Sequence, residues 1–133
     1  VSFKDKKKDR QKIFVMASNL AGRHGASSAL EALKNHGAVY GQGVGLQGSS
    51  YAIPTKDERI RTMPLERIKP YVDEFIQFAK DHPEMEFNVV KIGTGLARYT
   101  NEQMAVLFRD SPDNVYLHPE WNTLLGRTNT KVK

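Results

Sequence analysis

The chain of 133 residues contains no cysteine, so neither a disulfide framework nor a thiolate metal site is open to it. It has no apolar run near the roughly 20 residues that a membrane-spanning helix needs. Its four histidines, His24, His36, His82 and His118, are scattered without ligand spacing, so no zinc motif is present and no metal is expected. No serine sits in a nucleophile elbow. No internal repeat is evident. The basic N-terminal stretch is not followed by a signal-peptide core and cleavage site, and the expected location is the cytoplasm.

What the chain does have is an excess of positive charge, +5 at pH 7, with a pI near 9.5. An excess of that sign suits an anionic partner, yet much of it sits in two terminal clusters. One is Lys4, Lys6, Lys7, Lys8 and Arg10; the other is Arg127, Lys131 and Lys133. Such runs read either as solvated tails or as arms for nucleic acid. Aromatic residues interleaved with basic ones along a strand would favour nucleic acid, and that pattern is missing. The length fits one domain, able to bury roughly two thirds of its unfolded surface. Its expected layout is a basic segment at residues 1–11, one α/β domain at 12–125 and a basic, disordered tail at 126–133.

The most informative stretch runs from Ile13 to Gly25. Ile13, Phe14 and Val15 carry no charge between them, as in a strand covered on both faces of an α/β sheet. The strand leads into the polar turn Ser18-Asn19-Leu20-Ala21-Gly22-Arg23-His24-Gly25 and then into a helix over residues 26–37, which opens on small residues and stops at Gly37. Ligands collect where strand exits meet helix N-termini, because free backbone N–H groups there can bind an anion. Asn19 reads either as a turn former or as a ligand group. Arg23 would offer a fork for phosphate, and His24 a group that moves protons near neutral pH.

Residues 37–48 hold so many glycines that they must form a loop, with a short extended piece at 38–40. It either lines a ligand, through Gly43, Gly45 and Gln47, or is a flexible connection. A second strand at 50–55 is expected to end at Pro54. The longest helix follows, with Leu65, Ile68, Val72, Phe75 and Ala79 at helical spacing; either it opens at Pro64 and kinks at Pro70, or it starts at Pro70. A third strand at 86–92 runs into the turn Gly93-Thr94-Gly95-Leu96-Ala97-Arg98-Tyr99 and a helix capped by Thr100 with Gln103 as its box partner. The strand, turn and helix of the opening stretch are thus repeated. A fourth strand at 113–117 follows, and residues 118–121 close the compact part.

These two strand-to-turn segments, Ala17-Ser18-Asn19 with its glycine-bearing turn and Ile92-Gly93-Thr94-Gly95-Leu96-Ala97-Arg98-Tyr99, resemble the macro domain family in order and character. Over residues 12–121 the chain also resembles a group of small uncharacterised phage and bacterial proteins, which extends the expected location to the cytoplasm of an infected host. The resemblance implies a three-layer α/β/α fold with a mixed, mostly parallel sheet, binding ADP-ribose or a related nucleotide and, in some members, hydrolysing an ADP-ribosyl or phosphate ester. It implies that loops 19–25, 41–48 and 93–99 form the pocket. Asn19 would hold the distal ribose with Ser18 and Leu20 beside it, Gly22 and Gly25 would admit the ligand to the backbone, and Gly93 through Tyr99 would wrap the phosphates. Asn19 and His24 would carry any catalysis, without a cofactor. The adenine-recognising aspartate of the family has no clear counterpart, since Asp5 and Asp9 stand in a lysine-rich start with no strand before it. The alternative is a non-enzymatic module binding nucleic acid or protein through its basic surface.

Overall fold

The computed structural model describes residues 10–128; Lys4, Asp5, Lys6, Lys7, Lys8, Asp9, Lys131 and Lys133 lie outside the described residues. Strand β1 (Gln11–Asn19) is followed by helix α1 (Ser27–Asn35), a hairpin of β2 (Gly45–Gln47) and β3 (Ser50–Lys56), and helix α2 (Leu65–Asp81). Then come β4 (Met85–Val89), α3 (Asn101–Ala105) with a 3-10 turn at Val106–Phe108, β5 (Val115–Tyr116) and α4 (Pro119–Leu125). The sheet order is β2-β3-β1-β4-β5, with only the β2–β3 pairing antiparallel. The fold is therefore α/β with a mixed, mostly parallel sheet.

Alternation along β1 divides the core between the two faces of the sheet. Ile13 and Val15 join a large cluster with Tyr51, Ile53 and Phe87, covered by Ile68, Val72 and Phe75 of α2 and by Met104, Phe108 and Trp121. Met16 faces the other way, toward a cluster of small residues with Ala52, Ala38 and the α1 residues Ala29 and Ala32. Helix α1 thus forms one outer layer and α2, α3 and α4 the other. Each fully buried Ile, Val or Phe on the α2 side contributes about 1.5–3 kcal/mol. The alanines on the α1 side contribute less per residue but let that helix lie close to the strand exits.

Several local features depart from expectation for identifiable reasons. Pro54 sits inside β3 instead of ending it; it pairs with Ser18 beside a register shift and lies beyond the last β2 partner, Ala52. A missing N–H costs little where the ladder is already irregular. Of the two openings expected for the longest helix, the one at Pro64 holds: Pro64 is the N-cap of one helix that begins at Leu65 and carries Pro70 inside it. The extended piece of the glycine-rich segment is at Gly45–Gln47, not at 38–40. Residues 118–125 form a helix whose signals were present, with His118 accepting from the Glu120 N–H, Pro119 in the first turn and Gly126 in the left-handed stop position. Arg127 folds back, donating to the carbonyls of Ser111, Pro112 and Val115.

Candidate functional site

The carboxyl ends of the parallel strands β1, β3 and β4 open into one cleft of about 390 Å³. One wall is the exit of β1, Ala17 to Asn19, with Arg23 and Gly25; behind it stands the first turn of α1, from Ala26 to Ala29. The opposite wall is the segment after β4, where Lys91, Gly93, Thr94, Gly95, Leu96 and Ala97 line the space. The third wall comes from the end of β3, with Thr55, Lys56 and Ile60. The two segments singled out by sequence therefore face a common space, and both follow apolar strands.

Backbone donors dominate its polar chemistry. No side chain caps α1, and no acidic residue occupies its first turn, so the N–H groups at its start remain open to an anion. The loop after β4 is closed internally: Thr94 and Arg98 donate their N–H groups to Lys91 and Gly95 carbonyls, and Tyr99 donates to Gly93. That closure leaves the amides of Gly95, Leu96 and Ala97 without a protein acceptor among the described residues. A run of free amides of this kind can serve an anion. Arg23, Lys56 and Lys91 add positive charge, and no Asp, Glu or His stands among the lining residues. Lys91 is held from behind by Glu120 at 3.1 Å, and Glu120 also accepts from Asn101, which in turn accepts from the Trp121 indole.

The proposed site residues fall into two groups. Ser18, Asn19, Arg23, Gly25, Gly93, Thr94, Gly95, Leu96 and Ala97 line the cleft. Asn19 does so with its amide engaged: Oδ1 accepts from the Arg23 N–H at 3.0 Å and Nδ2 donates to the Arg23 carbonyl at 2.9 Å. It clamps the turn that presents Arg23. Leu20, Gly22, His24, Gly43, Gly45, Gln47, Arg98 and Tyr99 are not among the lining residues. The Tyr99 hydroxyl donates to the Met63 carbonyl at 2.6 Å, and burial, with Glu66 nearby, pushes its pKa up.

His24 is fully buried behind the turn, 3.1 Å from Gln47 Oε1. Gln47 Nε2 donates to the carbonyls of Gln42 and Gly45, which fixes the amide orientation and makes His24 Nε2 the donor in that contact. The His24 Nδ1 has no hydrogen-bond partner among the described residues. The glycine-rich segment is likewise a packed support. Gly43 accepts from the Ser18 hydroxyl, Gly41 donates to the Gly22 carbonyl, and Gln47 Oε1 takes the Val39 N–H. Sequence reading did not place Thr55, Lys56 and Ile60 at the cleft, because taking Pro54 as a strand end hid the fact that β3 runs parallel to β1 and delivers its own exit to the same edge.

No family model and no curated protein matches this chain. Among solved structures it is similar to the macrodomain of Mycobacterium tuberculosis DarG, at a TM-score of 0.60 and 18% identity over 84% of this chain and 90% of that one. It is also similar to a protein of unknown function from Bacteroides thetaiotaomicron, at a TM-score of 0.59 and 16% identity over 86% of this chain and 92% of that one. The fold is macrodomain-like.

Proposed function

We propose that the cleft binds ADP-ribose or a closely related nucleotide derivative. The observation that carries this reading is the convergence of two anion-ready backbone segments, the start of α1 and the amides of Gly95 to Ala97, on one cleft lined by Arg23, Lys56 and Lys91 and by no carboxylate. A volume of about 390 Å³ lies within the range of small-ligand sites. The macrodomain-like fold supports the same ligand class.

The arrangement favours binding over turnover. General acid–base chemistry needs a group of suitable pKa within hydrogen-bond reach of the reacting atoms, and His24 lies behind the wall instead of in it. Asn19 serves the site by holding the turn, so it is a positioning residue. Calorimetric titration with ADP-ribose tests the proposal. Saturable binding that weakens as salt screens the cleft is the expected result; no heat with ADP-ribose alongside tight binding of RNA would refute it in favour of a nucleic-acid module.

A further inference from the structure

Three non-glycine residues among those described adopt positive φ: Ser27 at 51°, Ile60 at 61° and Arg98 at 67°. Ser27 and Ile60 line the cleft, and Arg98 directly follows the lining residue Ala97. Backbone strain is therefore concentrated around this one space, as it is at many binding sites. Ile60 is the most costly of the three, because a β-branched side chain is a genuine outlier in the left-handed region, where Gly or Asn would sit easily.

The strain is held in place by Asp57. Its Oδ1 accepts the N–H groups of Arg59 and Arg61 at 2.9 and 3.0 Å, and its Oδ2 meets Arg61 Nε at 3.1 Å. The backbone closes the same turn, with Ile60 N–H donating to the Asp57 carbonyl and Asp57 N–H to that of Arg61. These bonds, led by the one from the Arg61 N–H, hold the Asp57 carboxyl below the usual carboxylate range. The turn thus spends a carboxylate and several backbone bonds to keep an isoleucine where an unstrained residue would fold more easily. Nor does the side chain serve the core: Ile60 belongs to neither cluster and is 37% exposed. Leu96, also a lining residue, is 57% exposed.

We infer that Ile60 is a specificity-determining contact of the cleft, an apolar side chain held in strained geometry to pack on a sugar or base ring, so that the site selects nucleotide-like phosphates over inorganic ones. The inference rests on the binding reading above and deepens it. The backbone amides and the cations Arg23, Lys56 and Lys91 recognise phosphate whatever carries it; Ile60, on the wall it shares with Lys56, recognises the carbon-bearing part. An apolar contact of this size is worth about tenfold in discrimination.

The test compares ADP-ribose with inorganic diphosphate on the full chain, using Ile60→Gly and Ile60→Asn, both of which tolerate the left-handed backbone. Each variant should melt at a higher temperature than the wild type, bind ADP-ribose about tenfold more weakly, and bind diphosphate unchanged. Wild-type affinity for ADP-ribose in both variants would overturn the role of Ile60 while leaving the binding reading intact. Equal weakening of both probes would also overturn it, since that marks a structural effect. A wild-type protein that binds diphosphate but not ADP-ribose would overturn the binding reading and the role of Ile60 together.

Discussion

A Cβ added to Gly43 would lie 2.1 Å from the Asn19 carbonyl oxygen, whereas one added to Gly95 would meet nothing within 4 Å. The first glycine is required for close approach of two backbones. The second is free of any packing demand, although it lies in the cleft wall with an unpartnered amide. Gly43→Ala should therefore lower stability by more than about 2 kcal/mol in denaturant unfolding. Gly95→Ala should stay within about 0.5 kcal/mol of wild type and, if the cleft binds as proposed, weaken ADP-ribose several-fold, because its methyl group would intrude where phosphate would meet backbone. A collapse of stability on Gly95→Ala with intact binding would make it a structural turn. Asn19→Ala should cost about 1 kcal/mol through the two lost turn bonds and weaken ligand binding by loosening Arg23. Measuring both quantities separates the clamp from a direct contact, which would reduce affinity without touching stability.

At the scale of elements, the glycine-rich segment and β2 act as a brace behind the β1 turn. Gln47 is its hub, tied to Val39, Gln42, Gly45 and His24. His24→Ala removes a fully buried ring and leaves the Gln47 carbonyl oxygen one donor short. Loss of packing and of a buried hydrogen bond together should cost about 2–4 kcal/mol. Affinity for ADP-ribose should fall with the loosened turn and recover in part on cooling, as the turn re-forms. If His24→Ala left stability unchanged and abolished binding, the ring would have to contact ligand directly.

For the whole molecule, the large core links stability to alkaline pH through Tyr51. It is buried between β3 and α2, edge-on to Phe75, and burial, with a smaller effect of Glu74, raises its pKa to about 12. The folded state thus holds this proton more tightly than the unfolded chain, whose tyrosines titrate near 10. The resulting stability is fully present below pH 10 and is lost as pH rises from about 10 through about 12. The loss is on the order of 2 kcal/mol. Melting temperature followed from pH 9 to 12 should fall, and Tyr51→Phe should flatten that fall. An equally steep fall in the variant would assign alkaline unfolding to other groups.

The sequence by itself determined what local physics dictates. The uncharged run of β1, the spacing of Ile68, Val72 and Phe75, and the Thr100–Gln103 box each specify an element through period or cap chemistry, and the box is present with both of its bonds. The two strand-to-glycine turns were legible for the same reason, since backbone that must curve at a strand exit needs residues that permit it. Tertiary structure alone decided which of their side chains reach the cleft. His24 and Arg23 are neighbours in a polar turn, yet one is fully buried and the other exposed, because the packing of Gln47 against the turn gives the imidazole a hydrogen-bond partner inside. Ile60 shows the same limit from the other side. Nothing in the residues 57–61 marks an isoleucine as strained or as facing a cleft; that follows from β3 running parallel to β1 and from the Asp57 carboxylate gathering the turn's N–H groups, long-range pairing and local geometry that no sequence period encodes.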